Sequence, residues 1–584
     1  MNPQSSSHRE RLSKALSRSY ESLAPFRRSR RELIEDFAGS RYGTDGYEAK
    51  PETYVNLMQI AVESYKVSLS YNEPRVLITS DDSELLPFAN RFQVALNNYA
   101  RKIHLGDSIR EIITDAVFMV GIGKTYLKDS PEVYHENDVY MDPGVPYFGR
   151  VSFDDWVHDV SKSDFRRAQF YGNRYSMDLE QAKTCPYFNK KVREELEATR
   201  LSERSEQGDR ASDLTNSIAN EDAEIEDVVD LIDIYLPKEK LVCTWPAWNA
   251  FDIASTPPLA VLDWDGAETG PYRFLSFLDV PDNIMPTSPA QSLCALFYLY
   301  NFLMRKIARR AKQQKDVLPY EAGAGDDMSR AMLAEDMQTV KVNRLQSINV
   351  LRFPGPDQGL NSFTYGLQEI FNQAAGNFKT ALGLAPSAGT VGQEQILNQN
   401  AGARIAESRR RVDRFVGEVF KDVGWLLYDD PMLEIPGQIE IPGAGITVPA
   451  DWGPPDQLER PASFDRFSVV FEAGSMEYRS SEARLAGLQQ DLQVLGPMIP
   501  LAQQQGLEFQ FQEVVNDISD LRAEPRIKRW FRMAQPREPQ EGGPSMRPPG
   551  TGQYTRTSVS EKTGDGQLQA LMQQQPSEPV GMAM

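Results

Sequence analysis

Three clusters of residues have types and spacing that could do chemistry. The first is GIGKT, Gly121 to Thr125, which carries the Gly-Lys-Thr end of a phosphate-binding loop. Such a loop reads G-x-x-x-x-G-K-[ST], with its first glycine five positions before the second. That position is Phe118 here. The order of elements is also inverted, because a helical pattern precedes GIGKT and a strand-like run follows it. A phosphate cradle lies between strand and helix, so that the helix N-terminus meets the anion. Gly121 therefore reads as a glycine closing a helix. The second cluster is FDDWVHDV, with Asp154, Asp155, His158 and Asp159 close together. Carboxylates and an imidazole could hold a divalent cation. On an alternating strand, however, Asp154 and Asp155 point to opposite faces, and the end of a surface strand accounts for them more simply. The third cluster is Arg305, Lys306, Arg309, Arg310, Lys312 and Lys315, with no acid among them. The helix dipole favours cations in a last turn, but these extend over about three turns. Arg305, Arg309 and Lys312 share one stripe, so an anionic partner stands beside the capping explanation.

Beyond these, composition mostly excludes. The chain has 584 residues, with 63 Lys+Arg against 83 Asp+Glu and a net charge of −20. That length implies several domains, and 40% apolar residues are ample for buried cores. Gly 39 and Pro 38 are ordinary shares, which excludes collagen-like and wholly disordered chains. Cys185, Cys243 and Cys294 are far apart, as are His8, His104, His135 and His158, so neither a disulfide framework nor a Cys/His zinc site is expected. No Ser–His–Asp or Cys–His set is local, and nothing selects a carboxylate pair. The expectation is a non-enzymatic protein without metal or cofactor. The polar, basic N-terminus lacks an apolar secretion core. The longest apolar stretch, Leu293 to Met304, is well short of the roughly 20 residues that span a bilayer. A soluble protein made in a reducing compartment, with no membrane partner, is expected. Acidity argues against static nucleic-acid binding over the whole surface, since phosphate contacts need Lys and Arg. Passing contact with DNA remains open.

The elements that must position these residues form an α+β, predominantly helical chain. A basic arm covers 1–30 and reads as a solvated helix face, with a contact for an acidic partner as the second reading. Helical periods follow in YVNLMQIAVESYKVSLSYNEP, ending at Pro74, and in SIREIITDAVFMVGIG. KTYLKD, VPYFGRVSFDDWVHDV, DVVDLIDIYL, KLVCTWPAW and PYRFLSFLDV read as strands. The acidic stretch at about 202–227 has little to bury and reads as a flexible insertion. Thr287 or Ser288 can cap a helix with Pro289 in its first turn, and this helix places Leu293, Leu296, Phe297, Tyr300 and Met304 on one stripe. A mixed stretch separates it from a second helix with Phe363, Leu367, Ile370, Phe371 and Phe378 at three and four. Then come the loop GLAPSAGTVG and a third helix from about Glu394 to Tyr428, on the order of 50 Å long. Two strand runs, GQIEIPGAGITVPADW and FDRFSVVFEAG, precede further helical spacing from Leu485 onward. After about residue 534 the Gln, Pro, Gly and Ser content implies a disordered tail.

The order of central elements, SPAQSLCALFYLYNFLMRKIARRAKQQKDVLPY followed by LQEIFNQAAGNFKTALGLAPSAGTVGQEQILNQNAGARIAESRRRVDRFVGEVFKDVGWLLYDDP, resembles the portal (head-to-tail connector) proteins of tailed bacteriophages. DAVFMVGIGKTYL and YFGRVSFDDWVHDV resemble that family's N-terminal half, and the Gln/Met-rich tail suits its podovirus-like branch. The likeness extends over roughly residues 20–530. It rests on the ordered pattern and not on any single motif, since the family has no catalytic motif.

The resemblance implies a ring, usually of twelve copies, at one capsid vertex, through which double-stranded DNA is packaged and ejected. It implies a wing at 31–287, a stem helix at 288–317, a clip at 318–358 and a second stem helix at 359–383. A tunnel loop at 384–398 would include Leu384, Pro386, Ser387, Gly389, Thr390, Gly392 and Gln393. A long wing helix at 399–430, wing strands at 431–479, crown helices at 480–533 and the tail at 534–584 complete it. The six cations from Arg305 to Lys315 become DNA-channel candidates. Leu293, Leu296, Phe297, Tyr300, Met304, Phe363, Leu367, Ile370, Phe371 and Phe378 become contacts between copies. Implied partners are a packaging motor (terminase), a head–tail adaptor, and the major capsid and scaffolding proteins. The implied location is the virion, after assembly in the host cytoplasm. A nucleic-acid-processing enzyme (ATPase or nuclease) and a minor capsid or ejection protein are the alternatives.

Overall fold

The computed structural model describes residues 5–39, 54–70, 72–128, 134–136, 139–141, 144–163, 165–199, 227–247, 253–264, 266, 270–317, 325–334, 341, 351–353, 355–375, 391–441, 446–472 and 476, with 493, 496 and 518 as isolated positions. The chain divides into two units, Met1–Ala483 and Arg484–Met584, and every element below belongs to the first. The expected crown and tail lie outside the described residues apart from those isolated positions, as does the acidic insertion up to residue 226.

The basic N-terminal segment is one helix, α1 (Ser6–Ala38), which runs past residue 30. Leu12, Leu16, Leu23 and Leu33 are buried along it, and so are Arg27 and Arg30. The apolar period of this segment therefore outweighs its charge. Next come α2 (Leu57–Leu69), capped by Asn56, whose side chain accepts from the Gln59 N–H at 3.0 Å, and β1 (Val76–Thr79). Helix α2 stops at the Ser70 cap, earlier than the Pro74 end expected from its pattern. The chain continues through α3 (Leu86–Lys102), α4 (Leu105–Phe118) and β2 (Gly121–Lys128).

Gly121 does not close α4. It opens β2, where a Cβ would lie 2.3 Å from the Ile112 carbonyl oxygen. The glycine is required by close approach of strand to helix.

The strands β3 (Tyr134–Glu136) and β4 (Val139–Met141) form a hairpin, and β5 (Val145–Val151) follows. FDDWVHDV is not one strand. Phe153–Asp155 is a 3-10 turn, and only Trp156–His158 is extended, as β6. Then come β7 (Tyr171–Asp178), the short helices α5 (Leu179–Thr184) and α6 (Lys190–Glu194), β8 (Val228–Leu236), β9 (Leu241–Pro246), β10 (Ala260–Asp263) and β11 (Tyr272–Leu275). Two antiparallel sheets result, with strand orders β10-β9-β8-β7-β6 and β11-β2-β5. β8 is buried almost continuously, as its unbroken VVDLIDIYL run requires of a central strand covered on both faces.

The remaining elements are α7 (Pro289–Gln313), β12 (Lys315–Val317), α8 (Gly325–Leu333), β13 (Leu351–Phe353), α9 (Gln358–Ala374), α10 (Val391–Tyr428), β14 (Gln438–Ile441), β15 (Ile446–Pro449) and β16 (Ser468–Phe471). β16 pairs with β1, and β14 with β15. The chain is α+β with helices outweighing strands. Its largest core gathers Phe92, Leu96, Ile109, Ile112, Phe297, Leu367, Val416 and Phe420 from α3, α4, α7, α9 and α10. Each such side chain contributes roughly 1.5–3 kcal/mol by leaving water.

Candidate interaction surface

α7 starts where its sequence dictates. Ser288 Oγ accepts from the Gln291 N–H at 3.0 Å, Pro289 fills the first helical position, and the same hydroxyl donates to the Val117 carbonyl at 2.8 Å. At mid-helix, buried Asn301 fixes the helix laterally. Its Oδ1 accepts from the Val55 N–H at 2.9 Å, and its Nδ2 donates to the Val55 carbonyl at 3.2 Å. Asn301 carried no signal in the sequence, because an amide within an apolar stripe reads only as an interruption.

α7 returns as α9. Between them, β12 and β13 pair antiparallel, matching Lys315 with Phe353 and Val317 with Leu351. This ladder closes the base of the excursion at residues 318–350. At the turn into α9, Gly355 lies so close to Gln314 that a Cβ would fall 2.2 Å from the Gln314 Oε1. The two helices are thus antiparallel neighbours. The resemblance implied a second stem helix at 359–383; α9 spans Gln358–Ala374, and residues 376–390 lie outside the described set.

The apolar residues expected to meet other copies divide into two groups. Leu293, Phe297, Tyr300, Leu367 and Phe371 are buried in the chain's own core, with Leu296 and Met304 partly buried against it. The five buried residues pack internally, whereas Leu296 and Met304 keep part of their surface outside that core. A hydrophobic stripe reports burial, not the identity of what buries it. Phe363 is 57% exposed and Ile370 53%; Phe378 lies outside the described residues. The structure adds Tyr298, Leu299, Phe302 and Tyr365, with Phe302 61% and Tyr365 74% exposed. They could have been found as the apolar residues left off the main stripe.

Arg305, Lys306, Arg309, Arg310 and Lys312 are all exposed. Among the described residues, no ion pair involves Arg305, Lys306, Arg309 or Arg310. Lys315 opens β12 rather than extending the helix. The solvent face of α7 thus passes from aromatic and aliphatic to cationic toward its C-terminus. In the expected tunnel loop, Gly392 and Gln393 belong to the first turn of α10. Leu384, Pro386, Ser387, Gly389 and Thr390 lie outside the described residues.

The other two clusters are absorbed into the interior. Lys124 of GIGKT reaches across to β8, where its Nζ donates to Asp233 Oδ2 at 2.5 Å. Asp233 Oδ1 accepts from Thr244 Oγ1 at 2.7 Å and Tyr175 OH at 3.3 Å. The lysine therefore bridges the two sheets and is not aimed at a phosphate. In FDDWVHDV, Asp154, His158 and Asp159 are buried, contrary to the surface strand end expected. Asp154 Oδ2 pairs with Arg30 at 3.3 Å, Asp155 with Arg174 at 3.3 Å, and Asp159 with the Ser161 hydroxyl at 2.6 Å. Among the described residues no three His, Cys, Asp or Glu groups converge as metal ligands. Burial pushes the Cys243 thiol up to about 12 and the Cys294 thiol up to about 11, which disfavours the nucleophilic thiolate at both.

Among the described residues no helix is long and apolar enough to cross a membrane. Comparison of the sequence with protein-family models gives no match, and comparison with curated proteins gives no significant match.

Proposed function

We propose that this chain is the portal subunit of a tailed bacteriophage, a structural protein that assembles into a ring at one capsid vertex and conducts double-stranded DNA in and out. The observation that carries this is the solvent face of α7. Its first part leaves Tyr298, Leu299 and Phe302 uncovered by the subunit, and the antiparallel α9 leaves Phe363, Tyr365 and Ile370 exposed as well. Exposed apolar area of this kind marks a protein contact, and a head-to-tail contact that closes makes a ring. Its second part, from Arg305 to Lys312, offers cations suited to phosphates in transit. The antiparallel helix pair, its strand-closed excursion and the long α10 follow the order expected of stem, clip, stem and wing helix.

In this role the partners are further copies of the chain, DNA, a packaging motor, a head–tail adaptor, and capsid and scaffolding proteins. The place of action is the virion vertex, after assembly in the host cytoplasm. An acidic protein with a localised basic zone would touch DNA without holding it fast. The test is electron microscopy of the purified full-length protein with mass photometry: rings with an axial hole support the proposal. A stable monomer at micromolar concentration, together with ATP or DNA hydrolysis, would replace it with an enzyme.

A further inference from the structure

We infer that His158 is an acid-released fastening between the N-terminal half of α1 and the five-stranded sheet. His158 ends β6, and its side chain is fully buried. A single side chain of α1 grips its main chain: Ser19 Oγ donates to the His158 carbonyl at 2.6 Å and accepts from the His158 N–H at 3.1 Å. The ring is held as an acceptor, because Trp156 Nε1–H donates to His158 Nδ1 at 3.1 Å. That bond needs Nδ1 free of a proton, so the neutral ring carries its one hydrogen on Nε2. Nε2 has no hydrogen-bond partner among the described residues, and the Phe165 ring lies 5.2 Å away between centroids. A second proton would set two donors facing each other across the Trp156 contact and leave a charge among aromatic rings.

The surroundings offer little to hold that charge. On its own segment Asp159 favours the imidazolium, but this carboxylate is engaged by Ser161 and by the Gln169 N–H at 3.2 Å. β7 sets Tyr171 opposite His158, and the turn after β6 presents Phe165. α1 presents the neutral Ser19, while Arg27 and Arg30 lie further along and turn to Tyr20, Asp115 and Asp154. Burial outweighs Asp159 and pushes the imidazole down to about 4. A base whose folded value is depressed stabilises the closed form fully above its ordinary value near 6.5 and loses that effect as pH falls toward 4. The C-terminal half of α1 is fastened separately through Arg30, so the release inferred here is that of residues 6–24. These include Leu12 and Leu16, packed on Val157 and Phe170.

The experiment is amide hydrogen exchange of the full-length protein at pH 7 and pH 5, corrected for intrinsic rates, on the wild type and on His158→Asn. The asparagine can still accept from Trp156 and cannot take up a proton. Protection of residues 6–24 should fall about twentyfold in the wild type and stay level in the variant. Unchanged wild-type protection, an equal fall in His158→Asn, or simultaneous loss throughout α3, α4 and α10 would each overturn the inference. Should the variant not fold, carbon-13 ring signals of the four histidines in the wild type decide. A His158 signal that titrates below 5 together with the exchange of α1 supports the fastening, and one titrating near 6.5 refutes it.

Discussion

Arg273 and Asp422 stand 149 positions apart in the chain, yet the arginine on β11 donates to Asp422 Oδ1 on α10 at 2.6 Å, with both side chains buried. The pair ties the three-stranded sheet to the longest helix. Burial outweighs the arginine's attraction and raises the Asp422 carboxyl to about 6. A carboxyl whose folded value lies above its unfolded one binds more protons when folded. Its contribution is therefore greatest below about 3.8 and declines as pH rises through 6.

Replacing Arg273 with Met leaves a buried carboxylate without its cation and should cost about 3–5 kcal/mol at pH 7. The loss should shrink toward pH 5, where Asp422 takes up a proton. Urea unfolding at both pH values checks this; an equal loss at the two would assign the effect to packing alone. Asp422→Asn should flatten the pH dependence between 4 and 6.

Arg30 spans two buried carboxylates, with Nη2 3.0 Å from Asp115 and Nη1 3.3 Å from Asp154, while Arg150 shares Asp115 at 2.5 Å. Arg30→Met should destabilise by about 3–5 kcal/mol, and Arg30→Lys by less, because a single ammonium replaces a fork that reaches both acids. Thermal unfolding of the three proteins should rank them in that order.

Lys124→Met should lower stability by roughly 1–3 kcal/mol, since Asp233 loses its charged donor but keeps Thr244 and Tyr175. Because that lysine is committed to Asp233, ATP should not raise the melting temperature of the wild type. An ATP-dependent rise that vanished in the variant would restore a phosphate-binding role to GIGKT.

Phe302→Asp should abolish ring assembly while leaving the circular dichroism spectrum intact, because this side chain is 61% exposed within the subunit. Combined reversal of Arg305, Arg309 and Lys312 to Glu should instead leave rings intact and reduce packaged DNA. Gel filtration and the DNA content of particles separate the two outcomes. Assembly surviving Phe302→Asp would remove α7 from the contact, and normal DNA content in the reversed variant would remove the cations from the channel.

Gly121→Ala should destabilise markedly, since the new Cβ would meet the Ile112 backbone rather than a side-chain tip able to move. Gly366→Ala, on α9 with nothing within 4 Å, should stabilise the subunit by up to about 1 kcal/mol. Differential scanning calorimetry of both variants reads the contrast directly.

Local physics was legible in the residues themselves. Ser288 and Pro289 announced the start of α7, three-and-four spacing announced α4, α9 and α10, and branched runs announced β8, β9 and β11. Each depends on neighbours within a few positions. What only tertiary structure decided was partnership. Leu293, Phe297 and Tyr300 form a stripe whichever surface covers them, and here the covering surface belongs to the same chain. Lys124 found Asp233, Arg30 found Asp115 and Asp154, and His158 was enclosed by Ser19, Trp156 and Phe165. No local period encodes these meetings, because a charge or a ring acquires its partner only when distant segments pack and water is displaced between them.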